Sequence, residues 1–403
     1  MKTTVAVLFG CASVEHEVSI ISAVQAMQSM DKSKYRIIPV YVSKKGEMFT
    51  GDELFKIDTY KDMENLYKIC HPVALVNTGG KVVLKFLDNR LFHKNDDIEI
   101  NVGFPIVHGT NCEDGSVAGY FELLGLPYVG CDVLSAALGM NKAKFKSVLR
   151  EQGLPVLPCV EITSRNWAAN KKDIIDSIEE KIDYPAIVKP VNLGSSVGIS
   201  KVENESELIK AMDLAFSFSD NTLIEKAIVN LREINCSVLG DSNECYASET
   251  EEPIMHDKIL SYEDKYLSNG SKKTGSKGGG MASLGRELPA NIPTEKSDEI
   301  KKIAVDAFKA FGASGVCRID FLMDTADNNK VYINEANTIP GSLSFYLWEA
   351  TGKKYSELLD DLISLAFKRQ RNRENLMFTI DTNILSTANL GGAKGAKSTK
   401  FQG

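Results

Sequence analysis

Short apolar runs and helix-period stripes alternate along the first third of this chain. Val5, Ala6, Val7, Leu8 and Phe9 read as a buried strand, and after a glycine turn Val18, Ile21, Val24 and Met27 set one apolar stripe on a helix over about 17–30. A strand over 36–42 follows, then a strand at 104–107, a helix near 117–124 and a short strand at 127–129, so this part predicts an α/β layer domain. A helix over 142–152 opens a second unit, in which strands at 186–188 and 222–224 flank a helix over 205–216. The sheet pattern restarts over 233–239 and leads to two further strands, 315–322 and the run ending at Asn337, joined through Asp327-Asn328-Asn329 as a hairpin. Residues 268–285 are rich in Gly, Ser and Lys with almost no apolar periodicity, which predicts a lid, although a plain insertion has the same composition. The domains expected are 1–135, 136–232, 233–368 with the lid at about 260–285, and a basic, Gly-rich tail at 369–403.

Side-chain alternation turns the last hairpin into candidate chemistry. It sends Arg318 and Asp320 to one face of their strand, and Glu335 and Asn337 to one face of theirs. Two carboxylates and an amide at one end of a sheet suit Mg²⁺, which takes oxygen ligands and is usually completed by substrate phosphates; a solvated sheet face is the plainer reading. Lys189-Pro190 followed by Gly194-Ser195-Ser196-Val197-Gly198 offers a lysine and then a loop whose glycines let N–H groups approach an anion, with Lys142 a second candidate cation. The run 223–228 is an apolar strand ending in Glu225-Lys226, with Glu233 after a short loop, a strand end where adenine and ribose could be held. Ser13 to Ser19 and His108 to Gly115 occupy the loops after two strands, where α/β proteins place ligands. The second of these loops reads either as an anion-binding helix start or as an acidic start favoured by the helix dipole.

Composition narrows the classes. With 403 residues, 43% of them hydrophobic, the chain can build two or three domains. A net charge of -7 gives no support to a nucleic-acid partner. No run approaches a membrane span, and the N-terminal apolar run passes into Glu15-His16-Glu17 without a cleavage site, so a cytoplasmic protein with no membrane partner is expected. Eight cysteines without C-x-x-C spacing read as reduced, buried thiols.

In order along the chain, Ser13-x-Glu15-x-Glu17-Val18-Ser19, His108-Gly109 with Glu113-Asp114-Gly115, Asn141-Lys142, Lys189-Pro190, Gly194 to Gly198, Tyr262-x-x-Lys265-Tyr266, Arg318-x-Asp320 and Glu335-x-Asn337-Thr338-x-Pro340-Gly341 give a composite pattern. With it the chain resembles the D-alanine:D-alanine ligases of the ATP-grasp group over about residues 5–367. The resemblance implies an N-terminal open parallel-sheet domain followed by a two-subdomain ATP-grasp fold. It implies an ATP-dependent enzyme that joins two D-amino acids, D-alanine to D-alanine, through a D-alanyl phosphate, for peptidoglycan precursors. By the same resemblance Glu15, Ser195, Tyr266, Arg318 and Gly341 are catalytic, and Lys142, Lys189, Ser196, Glu225, Lys226, Ile228, Glu233 and Lys265 bind ATP. Asp320, Glu335 and Asn337 would hold two Mg²⁺ ions, with Mn²⁺ as a substitute, and Tyr346 and Leu347 would meet the second substrate. The partners implied are small molecules, with a homodimer as candidate assembly.

Three departures from the family pattern stand out: Cys11 in place of a second glycine, one extra residue between Glu225 and Glu233, and Tyr346 where the family has a serine for the second substrate's carboxylate. Competing readings are a D-alanine:D-serine or other D-alanyl ligase, and a catalytically silent nucleotide-binding regulator. Glu15 and Tyr266 argue against a lactate-using version, and intact Arg318, Asp320, Glu335 and Asn337 argue against the silent one.

Overall fold

The computed structural model describes residues 2–87, 97–194, 197–254 and 285–378. The first sheet has seven strands in the order β6-β5-β4-β3-β2-β1-β7: β1 (Thr3–Gly10), β2 (Tyr35–Val42), β3 (Met48–Thr50), β4 (His71–Thr78), β5 (Lys81–Phe86), β6 (Ile98–Glu99) and β7 (Val102–Ile106). β1 is central among the parallel strands, pairing with β2 and β7, and its run from Val5 to Phe9 is sealed from solvent, as its continuous apolar character requires. The expected parallel sheet is therefore parallel in three strands only. A parallel pair needs a crossover such as the helix His16–Ser29, whereas β2 to β6 are antiparallel, with β4 and β5 joined by the tight Gly79-Gly80 turn. The strand expected at 127–129 is a single bridge, Gly103 to Tyr128, because the segment lies between left-handed Gly125 and Gly130, which turn it in and out of the sheet.

Two antiparallel sheets follow. The second, β10-β9-β11-β8, comprises β8 (Cys159–Thr163), β9 (Ala186–Pro190), β10 (Ser200–Val202) and β11 (Asn221–Lys226), and buries one face against the helices Ser164–Lys181 and Glu205–Phe216. The third, β14-β13-β12-β15-β16, comprises β12 (Leu231–Gly240), β13 (Cys245–Pro253), β14 (Arg286–Glu287), β15 (Gly315–Asp324) and β16 (Lys330–Asn337). The helix Thr294–Ala310 covers one face of it, through Ile300, Ala304, Ala307 and Phe308. Asn328 and Asn329 take left-handed conformations in the β15–β16 turn, which asparagine tolerates well. The helix Tyr355–Glu374 packs its apolar stripe into the core of the first sheet. It runs past residue 368, where apolar periodicity ends, because Arg369 donates to the carbonyls of Gly130 at 2.6 Å and Tyr128 at 2.5 Å. No helix among the described residues is long and apolar enough to cross a membrane.

Candidate active site

A cavity of about 320 Å³ lies between the exposed faces of the second and third sheets, under the loops that follow β1 and β7. Its floor is one row of register-paired residues across four strands of the third sheet: Glu251 opposite Asn235, Asn235 opposite Asp320, and Asp320 opposite Glu335. Arg318 faces Asn337 one step along, so both pairs expected from alternation share the cavity. Arg318 grips Asp320 with two parallel bonds, Nε to Oδ1 at 2.6 Å and Nη2 to Oδ2 at 2.7 Å, and Asn337 Nδ2 donates to Asp320 Oδ2 at 2.9 Å. Burial pushes the Asp320 carboxyl up, against the pull of Arg318. A β-bulge opposite the Asp320–Phe321 step inserts Asn334, which therefore also faces the cavity although simple alternation points it away. No group of three His, Cys, Asp or Glu side chains is arranged as a metal site among the described residues. Two carboxylates with an amide, all oxygen donors, nevertheless fit Mg²⁺, which leaves most of its positions to water and phosphate.

The cations come from the opposite wall. Lys142, at the first position of the helix Lys142–Glu151, donates to the Leu193 carbonyl at 2.7 Å and lies 3.2 Å from Glu335 Oε2. Lys189 on β9 is ion-paired with Glu225 of β11 and donates to Asn334 Oδ1 at 3.0 Å. Sequence reasoning missed the third member of this cluster: Lys146, fully enclosed, donates to Glu225 Oε2 at 2.5 Å. Its position four residues after Lys142, on the same helix face, is the signal that would have found it. Burial acts to raise the Glu225 carboxyl, but the two ammonium groups outweigh it and hold the group at about 2. Burial lowers Lys146, with Glu225 opposing. Lys226, Ile228 and Glu233 line the same cavity where β11 passes into β12.

The first domain supplies the roof. Glu15 stands at the N-cap position of the helix His16–Ser29 without a side-chain capping bond and faces the cavity, and Ser13 Oγ donates to the His108 carbonyl at 2.6 Å. Cys11, at a position the family gives to glycine, takes a left-handed φ of 65°. His108 bridges Ser22 Oγ, at 2.8 Å, and the Ile339 carbonyl, at 2.6 Å, and burial lowers its pKa. Glu113 accepts from Gly109 N at 2.7 Å and Ile339 N at 3.0 Å, so it ties this loop to the turn after β16; burial and the Glu15 charge push it up to about 7. Asp114, just before the helix Ser116–Leu124, accepts from Ser116 N at 2.9 Å and from Asn111 N at 2.8 Å, so the first N–H of that helix is already paired within the chain.

After Gly341 the backbone takes three successive left-handed residues, Ser342, Leu343 and Ser344, before the helix Phe345–Ala350. Tyr346 faces the cavity, but its hydroxyl donates to Glu251 Oε1 at 2.8 Å. The Leu347 side chain is fully buried beside it and points away from the cavity, since neighbouring helical residues point about 100° apart. Glu251 and Arg286, neither singled out in the sequence, complete this end. Ser195, Ser196, Lys265 and Tyr266, the expected lid and the tail beyond 378 lie outside the described residues.

Two family models match the chain, the D-ala D-ala ligase N-terminus over residues 4–131 and the D-ala D-ala ligase C-terminus over residues 148–364. The chain belongs to the D-alanine–D-alanine ligase family. It is 41% identical over 384 residues to the D-alanine–D-alanine ligase of Caldicellulosiruptor bescii, covering 94% of this chain and 99% of that one. Against the corresponding protein of Thermosipho africanus the identity is 38%, covering 94% and 97%. Among solved structures, the D-alanine-D-alanine ligase of Coxiella burnetii superposes with a TM-score of 0.76 at 31% identity, covering 93% of this chain and 96% of that one. The VanG D-Ala:D-Ser ligase of Enterococcus faecalis superposes with a TM-score of 0.75 at 30% identity, covering 91% and 100%. The ligase-family fold expected from the sequence is thus the fold observed, with its mixed first sheet and two antiparallel sheets around the cavity.

Proposed function

We propose that this chain is a cytoplasmic enzyme that joins D-alanine to a second D-alanine with ATP, through a D-alanyl phosphate. The observation that carries the reading is the row of acidic and amide side chains beside Arg318, faced across one cavity by Lys142 and Lys189. Lys142 and Lys189 would take the nucleotide phosphates, and Lys226, Ile228 and Glu233, where β11 leads into β12, would take the adenosine. Asp320, Glu335 and Asn337 would hold Mg²⁺, or Mn²⁺ in its place, which neutralises charge on the phosphoryl oxygens. Glu15 would bind the donor's ammonium beneath the roof. The γ-phosphoryl group passes to the donor carboxylate; the acceptor amine then adds to the acyl carbon, phosphate leaves, and a proton is lost from nitrogen. Arg318 is suited to the developing oxyanion, a role often worth about 3 kcal/mol.

The domain division at 135 and 232, small-molecule partners without nucleic acid or membrane, and a homodimeric assembly belong to the same reading. Phosphate release on mixing the protein with ATP, Mg²⁺ and D-alanine, with the dipeptide identified by mass, tests it. Product with D-serine in preference to D-alanine would select the D-alanyl-D-serine alternative, and no phosphate release with any D-amino acid would leave a silent nucleotide binder.

A further inference from the structure

The floor row has a direction. Glu335 lies at the end nearest the cations, in contact range of Lys142, and Asp320 with Arg318 comes next. Neighbouring strands are about 4.8 Å apart, so Glu251 stands about 10 Å beyond Asp320, on the side away from Glu335. A ligand that reacts over Arg318 and Asp320 and extends away from the phosphate-binding lysines must meet the group at Glu251.

That group is built around one buried carboxylate. Glu251 Oε1 accepts from the Tyr346 hydroxyl at 2.8 Å and from Asn235 Nδ2 at 3.1 Å, while Oε2 accepts from Arg286 Nη1 at 2.8 Å. The Arg286 guanidinium lies 3.8 Å from the centre of the Tyr346 ring, stacked on it. Both Arg286 and Tyr346 face the cavity. The Tyr346 hydroxyl is thus committed to Glu251, although its place in the sequence is that of the family's carboxylate-binding serine. A guanidinium that lies over an aromatic face and donates to a buried carboxylate is held in place at the cavity wall, and the planar guanidinium is the side chain whose geometry suits a substrate carboxylate.

We infer that Arg286, oriented by Glu251 and Tyr346, binds the carboxylate of the acceptor amino acid. The inference rests on the ligase reading and assigns its second-substrate anchor. Glu251 and Tyr346 are positioning residues, and Arg286 is the group that touches the substrate.

The test pairs two deletions, one in the protein and one in the substrate. Dipeptide formation is measured with D-alanine as donor and either D-alanine or D-alaninamide as acceptor, for the wild type, Arg286→Met and Arg286→Lys. A hydrogen bond to a charged group corresponds to about 10- to 100-fold in kcat/KM. The wild type should prefer D-alanine over the amide by about that factor. Arg286→Met should lose the preference, mainly through a higher acceptor KM for D-alanine, while the amide reaction changes by less than about threefold. Arg286→Lys, which retains the charge facing Glu251, should recover part of it. If Arg286→Met slows both acceptors equally, or neither, the assignment is overturned. Trapping of the acyl phosphate by hydroxylamine, with D-alanine, ATP and Mg²⁺ and no other acceptor, separates the two readings. Hydroxamate formed by the wild type and by Arg286→Met, together with an unchanged acceptor preference, refutes Arg286 alone; no hydroxamate from the wild type refutes the ligase reading as well.

Discussion

Replacing Glu225 by Gln should damage this protein far more than replacing Lys146 by Met, although both groups belong to one buried cluster. Lys146, Lys189 and Glu225 are all enclosed, and a single carboxylate faces two ammonium groups. Removing that carboxylate leaves two buried cations facing a neutral amide, and breaking a buried pair in this way costs about 3–5 kcal/mol. Removing Lys146 instead leaves Lys189 and Glu225 as a matched pair. The lost charged hydrogen bond, about 1.5–3 kcal/mol, is offset by relief of Lys146 desolvation and of its repulsion with Lys189, so the net change should lie within about 1 kcal/mol.

Acid titration gives a second, independent reading. The Glu225 carboxyl sits at about 2 in the folded protein, lowered from an ordinary glutamate value of 4.5. Its contribution, about 3 kcal/mol from that difference, is present above pH 4.5 and is lost as pH falls from 4.5 towards 2. Denaturant unfolding of the wild type and both variants at pH 7 and at pH 3 measures all of this. Glu225→Gln should lie well below the wild type at pH 7 and approach it at pH 3. Equal losses in the two variants at pH 7, or a gap for Glu225→Gln that does not narrow in acid, would refute the reasoning.

Three further outcomes follow from the same geometry. Glu335→Gln keeps shape and removes a carboxylate from the proposed metal site, so steady-state phosphate release should fall by about 100-fold or more with the circular dichroism spectrum unchanged; near-normal turnover would show Glu335 to be a surface carboxylate. Gly139→Ala raises helix propensity, yet the new methyl would lie 2.7 Å from Thr338 Cγ2, in the turn that follows Asn337. Thermal unfolding should therefore show a loss of about 1–3 kcal/mol, whereas a gain would mean that Thr338 yields freely. Arg369→Met withdraws two donors from the Gly130 and Tyr128 carbonyls and should lower stability by about 1.5–3 kcal/mol in urea titrations without altering the KM for ATP.

Much of this architecture was legible because it rests on local pattern. The helix Glu205–Phe216 and the β15–β16 hairpin have sequence signals contained within their own segments, an apolar stripe in one and an Asn-rich turn in the other. β3 to β6 carried weaker signals: β3 and β6 are only three and two residues long, β4 and β5 are partly exposed, and the antiparallel register is set by turns rather than by long apolar runs. Alternation placed Asp320, Glu335 and Asn337 on the cavity face but not Asn334, since a bulge adds one residue to a strand without changing its composition. Lys146 was hidden for a different reason. A lysine on a helix reads as solvent-facing until the carboxylate that neutralises it is known, and Glu225 is 79 residues away.

The same distinction explains why the acceptor end was the hardest part to read. Its members come from β12, β13, β14 and the helix after the left-handed turn, and none of Asn235, Glu251, Arg286 or Tyr346 lies in a segment whose spacing implies the others. What joins them is the need of one enclosed carboxylate for donors: Glu251, 2% exposed, draws three side chains to itself. A serine in place of Tyr346 would leave that carboxylate short of a donor and the Arg286 fork without its stacking face, so the departure at Tyr346 and the pair Glu251–Arg286 form one unit. Tyr346→Ser should accordingly weaken acceptor binding even though it restores the family's residue, and only replacement of the three together is expected to move the carboxylate contact back to a serine.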